Sequence, residues 1–259
     1  MYVLRILPAL LLILLFSGCS LLPEQIDRTK NWSASRLYSE AKAALSQGDY
    51  ETAIKYYESL EARYPFGRYA QQAALEAAYA YYKYDEPDSA IATADRFINT
   101  YPQHPHIDYA YYLKGLINFN RNTGLVERYL PHDPTQRDSA AARQSFNDFA
   151  ELVKRFPNSN YAEDARQRMI YLRNNLAQYE VHVANHYMRR EAYVAAVNRA
   201  KYVVEHYQQT PAVADALAIL AEAYTKMGVQ DLAADSMRVL ELNYPNHPAL
   251  AKLKGHAVN

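Results

Sequence analysis

The sequence has little glycine, a single cysteine and no net charge. Seven glycines occur in 259 residues, and none are spaced as in the phosphate-binding loops of nucleotide enzymes or the G-x-S-x-G turn of serine hydrolases. The 28 Lys and Arg balance the 28 Asp and Glu, which excludes the basic composition of a nucleic-acid-binding protein. Scarce glycine and few β-branched runs favour an all-α chain. We predict neither an enzyme of a common motif class nor a cofactor.

The only cysteine, Cys19, follows a short apolar segment. The apolar run 6–16 is shorter than the roughly 20 residues that span a bilayer, and small residues follow it, which predicts a signal peptide over 1–18. A cysteine after Ser17 and Gly18 is typical of the lipoprotein box, whose thiol takes a diacylglyceryl group. We expect the mature protein to begin at Cys19 as an N-palmitoyl, S-diacylglycerol cysteine held at the membrane by its acyl chains. The alternative is a soluble secreted protein with an unused thiol.

The residues after Cys19 predict a destination and a tether. Ser20 stands where an Asp favours retention in the inner membrane, so we expect the outer membrane. Residues 19–31 contain Pro23 and no hydrophobic periodicity, which predicts a short lipidated tether.

One pattern recurs five times in the rest of the chain. A small residue is followed four, seven and eleven positions later by apolar or aromatic residues, usually before a proline. Such offsets share one face of an α-helix, and the residue before proline leaves the helical conformation. The copies begin at Ala53, Ala90, Ser145, Ala196 and Ala233.

The spacing of the copies predicts a tetratricopeptide-like α-solenoid. The outer steps are 37 residues, close to the tetratricopeptide length of about 34, and the middle steps are 55 and 51. An irregular loop over 121–137 and a long helix over 160–188 account for the longer steps. We predict a domain over 32–250 with five helix-turn-helix units, 34–67, 69–104, 106–157, 160–210 and 211–247, and a C-terminal tail over 251–259. The ten predicted helices are 34–46, 50–63, 69–84, 87–100, 106–120, 138–155, 160–188, 191–206, 211–227 and 230–243.

No catalytic or metal-binding pattern is apparent. His182 and His186 lie one turn apart on the predicted long helix, but the residues between them lack the glutamate of the zinc-protease motif. We predict structural or solvated histidines and no metal site. Serine, aspartate and glutamate form no recognisable triad or carboxylate pair.

The 25 tyrosines are the most informative side chains. If the units stack as tetratricopeptide repeats do, the first helix of each unit lines a groove. Its rings would offer apolar faces with hydroxyl groups, and a basic residue there can pair with a peptide carboxylate. Packing between neighbouring units is the alternative for each tyrosine. The predicted groove residues are Tyr38, Lys42, Arg68, Tyr79, Tyr82, Lys83, Tyr109, Tyr112 and Phe119.

The lipoprotein box, the five units and four local segments resemble the BamD, or competence lipoprotein, family of outer-membrane β-barrel assembly lipoproteins. The segments are RYPFGRY at 63–69, HPHIDY at 104–109, FPNS at 156–159 and AVNR at 196–199.

The resemblance implies a non-enzymatic scaffold on the periplasmic face of the outer membrane. It would bind the POTRA domains of a BamA-like barrel subunit, contact BamC-like and BamE-like lipoproteins, and help recruit and insert unfolded outer-membrane proteins. The match at Arg199 implies that the C-terminal units bind the barrel subunit. The tyrosine-lined groove would suit an extended substrate segment that ends in an aromatic residue.

Two other functions compete with this one. A pilotin for a secretin or type IV pilus system would also be a repeat lipoprotein, but the 55 and 51 steps depart from even 34-residue spacing. A murein lytic transglycosylase needs a catalytic Glu in a Gly- and Ser-rich segment, and the sequence contains no such segment.

Overall fold

A computed structural model describes residues 29–121 and 139–257, with side chains to Leu253. Cys19, the signal peptide, most of the tether and nearly all of the 121–137 loop lie outside the described residues. Within the described ranges the chain forms eleven helices and no strand, which confirms the all-α prediction. The helices are α1 (Ala34–Gln47), α2 (Tyr50–Arg63), α3 (Arg68–Lys83), α4 (Pro87–Thr100), α5 (Ile107–Asn120), α6 (Ser139–Arg155), α7 (Ala162–Arg189), α8 (Tyr193–His206), α9 (Ala212–Lys226), α10 (Gln230–Asn243) and α11 (Ala249–Ala257).

The helices form a tetratricopeptide-like solenoid of helical hairpins. Each helix packs against the next one along the chain. First helices of neighbouring units also touch, α1 with α3, α3 with α5, and α7 with α9. The side chains of one first helix therefore meet those of the next along one side of the array.

The recurring pattern marks the contact inside each unit. In the first copy Ala53, Tyr57 and Leu60 are all fully buried. The closing aromatic then ends the helix: Tyr64 is the C-cap of α2, and its N–H donates to the carbonyl of Leu60 at 2.8 Å. Tyr101, Phe156, Tyr207 and Tyr244 make the same backbone bond at the ends of their helices.

The ten predicted helices agree with α1–α10 to within two residues, but both ends of the domain differ from expectation. The predicted C-terminal tail contains α11, whose Leu250 and Leu253 are buried against the last unit. The predicted tether ends early because Thr29 is buried and its hydroxyl accepts a hydrogen bond from Arg63 at 2.9 Å. Trp32, which the sequence places beside the tether, packs its ring 5.4 Å from that of Tyr56.

The two helices of the third unit cross closely at a glycine. Gly115 on α5 is buried, and a Cβ added there would overlap the ring of Phe149 on α6. The Ser145 hydroxyl donates to the Gly115 carbonyl at 2.9 Å in the same contact. The tetratricopeptide pattern predicts a tight-packing glycine at this position, and the geometry confirms it.

Gly115→Ala therefore tests the packing of α5 on α6. Alanine favours helix by up to about 1 kcal/mol, but overpacking costs about 1–3 kcal/mol, so we expect a net loss of unfolding free energy in urea. Gly228→Asn is the control, because Gly228 has a positive φ of 75° that asparagine accepts and open space around its Cβ. A Gly115→Ala protein as stable as the control would contradict the crossing.

Candidate partner-binding surfaces

The nine predicted groove residues lie along α1, α3 and α5, and none of them is fully buried. We call this row the first-helix face. The short connections between helices place α1, α3 and α5 on one side of the hairpins, and side-chain contacts link each to the next. The structure therefore brings these residues into one continuous row.

Glu76 on α3 links the first two units. Its Oε1 accepts hydrogen bonds from the Tyr38 hydroxyl at 2.9 Å and from Lys42 Nζ at 2.7 Å, and its Oε2 accepts one from the buried Tyr57 hydroxyl. Burial and the bonds to this carboxylate raise the pKa of Tyr38 and of Tyr57. Both hydroxyls therefore stay protonated at physiological pH and act as donors, which holds α1 and α2 to α3.

Tyrosine contacts also join the second and third units. The hydroxyl of Tyr82 on α3 accepts a hydrogen bond from Asn120 Nδ2 on α5 at 2.7 Å, and the Tyr79 ring lies 6.3 Å from that of Tyr82. Tyr109 on α5 packs in the same cluster. Burial raises the pKa of the Tyr109 hydroxyl, so this side chain is neutral as well. Because Tyr82 accepts from Asn120, its own proton remains available to another acceptor.

The third and fourth units meet through an aromatic stack. The ring of Tyr112 on α5 stacks at 4.8 Å on Tyr161, and its hydroxyl donates to Asp164 at 2.6 Å. Burial and the bond to Asp164 raise the pKa of Tyr112 to about 12. Phe119 lies beneath the Arg168 guanidinium, 4.8 Å from the ring centroid. One face of each ring is thus used in packing.

The three predicted basic residues differ in how much of their charge is available. Lys42 is paired with Glu76. Arg68 is exposed, with its guanidinium 4.9 Å from the Tyr69 ring and 3.2 Å from the Tyr69 hydroxyl. Lys83 is exposed at the end of α3 and has no ion pair within the part of the chain that the structure describes. Arg68 and Lys83 are therefore the basic residues of this row whose charge a carboxylate can meet.

Most of the tyrosines on this face combine packing with partial exposure. Packing, one of the two alternatives that the sequence leaves open, is present, and part of each ring stays accessible. Sequence reasoning missed the two acids that anchor the row, Glu76 and Asp164. Each is a single residue with a distant partner: Lys42 lies 34 positions from Glu76, and Tyr112 lies 52 positions from Asp164. The groove itself stays a prediction.

Arg199 on α8 takes part in a buried ion cluster. Its Nη1 donates to Glu180 Oε2 at 3.1 Å, and Arg143 on α6 donates to Glu180 Oε1 at 3.1 Å. Glu180 on α7 is only 1% exposed, whereas Arg199 and Arg143 are each nearly half exposed. One carboxylate thus joins three consecutive helices, while both arginine side chains stay partly exposed.

The described residues contain neither a cluster of metal ligands nor a helix suited to crossing a membrane. In residues 29–121 and 139–257, no three His, Cys, Asp or Glu side chains come together as metal ligands. His182 is partly buried on α7, and His186 is exposed with its ring 6.0 Å from that of Tyr187. Over the same ranges no helix has both the length and the apolar character needed to cross a membrane.

The chain is similar to known proteins over most of its length. Residues 30–240 match the family model of YfiO, described as an outer membrane lipoprotein. A Neisseria meningitidis serogroup A protein named outer membrane protein assembly factor BamD is 48% identical over 222 residues, which cover 86% of this chain and 83% of that protein. The Vibrio cholerae protein of the same name is 38% identical over 237 residues, 92% of this chain and 97% of that one. A solved tetratricopeptide repeat protein from Parabacteroides merdae matches 90% of this chain and 87% of its own at 14% identity, with a TM-score of 0.41.

Replacing Glu180 tests the buried ion cluster. Glu180→Ala leaves two guanidinium groups without their shared carboxylate, and because both are half exposed we expect a loss of about 1–3 kcal/mol in the free energy of unfolding. Asp235→Ala is the control, since its pair with Arg238 is exposed on both sides and should contribute less than about 0.5 kcal/mol. Equal losses in urea unfolding would show that the cluster contributes no more than a surface pair.

Proposed function

The chain belongs to the YfiO family of outer membrane lipoproteins, and from this premise we propose that it is a lipid-anchored, non-enzymatic scaffold on the periplasmic face of the outer membrane. Family membership gives it a role in outer-membrane protein assembly. The finer proposal concerns how it acts: acyl chains on Cys19 hold one end at the membrane, and the rigid array presents separate surfaces to different polypeptides. The match over 30–240 is the observation that carries the proposal.

We propose that the first-helix face holds an extended segment of an unfolded outer-membrane protein. Its partly exposed rings offer apolar edges, and its hydroxyls are neutral at physiological pH, as tyrosines ordinarily are. Burial, together with carboxylate bonds at Tyr38 and Tyr112, raises the pKa of Tyr38, Tyr109 and Tyr112 further. An aromatic side chain at the end of a segment can pack on such rings, while Arg68 or Lys83 pairs with a terminal carboxylate. Lys42 contributes less because Glu76 already neutralises it.

Peptide binding separates the aromatic contribution from the charge contribution. A peptide ending in an aromatic residue should bind the full chain in detergent more tightly with a free carboxylate than with an amidated end. Arg68 and Lys83 lie at opposite ends of α3, about 22 Å apart, so one carboxylate meets only one of them. Either Lys83→Gln or Arg68→Gln should therefore weaken the free acid by about two- to fivefold, as expected for an exposed ion pair, and leave the amide unchanged.

Tyr79→Ala should weaken both peptides, because it removes ring area common to the two. Lys201→Gln is the matched control, since Lys201 is an exposed lysine on α8, away from this face. If the acid and the amide bind equally and neither Lys83→Gln nor Arg68→Gln changes the affinity, the proposed pairing with a terminal carboxylate is wrong. If Tyr79→Ala leaves the affinity for both peptides unchanged, the proposed peptide groove is wrong.

We propose that the C-terminal units bind the POTRA domains of the BamA-like subunit. Arg199 supports this, because its side chain stays partly exposed beyond its bond to Glu180. The outer side of α10 also supports it: Leu232, Val239 and Leu242 are exposed there, Leu242 to 75%. A terminal repeat ordinarily presents a polar outer face. Contacts with BamC-like and BamE-like lipoproteins belong to the same proposal, and the family favours it over the pilotin alternative.

Arg143 provides a matched control for the role of Arg199, because both arginines bind Glu180 at the same distance. Arg199→Ala and Arg143→Ala should lower stability by similar amounts. Only Arg199→Ala should reduce co-purification of the barrel subunit from detergent-solubilised outer membrane, by about tenfold for an interfacial charge whose loss costs roughly 1.4 kcal/mol. Equal losses in the two variants would assign Arg199 a purely structural role.

A further inference from the structure

Phe66 is the most exposed large apolar side chain of the described residues. It lies in the four-residue connection between α2 and α3 and is 90% exposed. Pro65 precedes it, and Gly67 follows with a φ of 97°, a conformation that favours glycine. The backbone on both sides of Phe66 is therefore restricted, and it presents the ring to solvent.

The other units show that the fold does not need a phenylalanine here. The aromatic-proline pair that ends a helix recurs at 101–102, 156–157 and 244–245, and the residue after proline is then Gln103, Asn158 or Asn246, each exposed. Those three connections are closed by a backbone hydrogen bond at 3.0 Å back to the aromatic residue. The first unit alone replaces the polar residue with an apolar one, so its side chain serves something outside the fold.

Two basic segments lie beside Phe66. Residues 29–36 and 62–75 contain Lys30, Arg36, Arg63 and Arg68 and no Asp or Glu. The acids that border the second segment, Glu61 and Glu76, are paired with Arg96 and Lys42. Lys30, Arg36 and Arg68 are exposed. The two segments lie together, because Arg63 holds Thr29 and the Tyr64 hydroxyl donates to the Trp32 carbonyl at 2.9 Å. An exposed phenylalanine among cations is the composition of an interfacial membrane contact.

The chain enters the array beside the same loop. Thr29 is bound to Arg63, three residues before Phe66, and only ten residues separate Thr29 from Cys19. Ten residue steps reach at most about 36 Å when fully extended, so acyl chains on Cys19 would keep the loop within that distance of the lipid. At such proximity a weak contact is occupied, because tethering raises its effective concentration to the millimolar range.

We infer that the α2–α3 connection of the first unit is a second contact with the membrane, in which Phe66 inserts among anionic lipid headgroups and the surrounding Lys and Arg side chains bind their phosphates. The inference rests on the proposed lipid anchor at Cys19. Two points of attachment would fix the orientation of the array relative to the membrane, which a single lipid anchor does not do.

A fluorescent probe at position 66 tests the insertion. The full acylated chain carrying Phe66→Cys, labelled with an environment-sensitive dye, is reconstituted in vesicles of phosphatidylethanolamine and phosphatidylglycerol. Acylated Cys19 is blocked to the dye, so position 66 is labelled alone. We expect a blue shift and strong quenching by lipids that carry a nitroxide near the headgroup. Asn158→Cys, at the same place in the third unit, should show neither.

Because the labelled variant lacks the phenylalanine ring, a second experiment measures how Phe66 itself affects partitioning onto vesicles. With Cys19→Ala and residues 1–18 removed, co-sedimentation with the same vesicles should fall by about tenfold or more on Phe66→Asn, the expected effect of removing one buried phenylalanine. Asn158→Phe should not raise it. Raising the salt concentration should lower the co-sedimentation of the chain that keeps Phe66, since salt screens the attraction between its basic residues and the anionic headgroups.

The outcomes separate the loop from the anchor. If mass spectrometry shows that Cys19 is acylated and the dye at position 66 is quenched no more than the dye at position 158, the membrane contact is overturned and the anchor stays in place. An unacylated Cys19 would overturn the anchor, and the Cys19→Ala partition would still decide the loop. A blue shift at position 66 that requires an added polypeptide rather than lipid would overturn the inference in favour of protein docking.

Discussion

The whole array depends on close contact between the two helices of each unit, which the small residue at the start of each repeated pattern permits. Ala53, Ala90, Ser145 and Ala196 are fully buried, and Ala233 nearly so. A larger side chain at these crossings would force the helices apart, because interiors are packed to crystal-like density. The aromatic residue eleven positions later ends the second helix of each unit at a set length. The connection to the next unit therefore leaves in a similar direction each time. Packing therefore determines the solenoid before any charged group does.

Buried and partly buried acids set how helices are aligned within and between units. Glu76 joins the first two units and Glu180 the third and fourth, whereas Asp148 joins the two helices of the third unit. Each is bonded by donors from at least one other helix. Burial raises the pKa of Asp148, but hydrogen bonds from Asn118 and attraction to Lys114 offset part of that cost. Such groups are costly when unpaired, so a shifted register between units would be penalised. The paired acids therefore select one register among helices whose apolar faces are similar.

The helices could be predicted from the sequence, whereas the side-chain network could not. A period of 3.6 and helix-ending prolines are local signals, and they place α1–α10 within two residues. Glu180 meets Arg143 across 37 residues, a pairing that depends on the three-dimensional register of α6 and α7. The helix α11 has only nine residues, so it is too short to contain the pattern that extends over eleven positions. Arg199 was singled out by family resemblance alone, and its bond to Glu180 appears only in the structure.

In a repeat protein, the positions that break the repeat carry information that the fold does not require. Every unit must keep its small crossing residue and its helix-ending aromatic, so those residues say little about partners. Departures such as Phe66 in place of a polar loop residue, or the apolar outer side of α10, cost solubility and gain nothing in packing. They occur at opposite ends of the array. A scaffold that must face lipid at one end and another protein at the other needs such different ends, joined by units rigid enough to keep them apart.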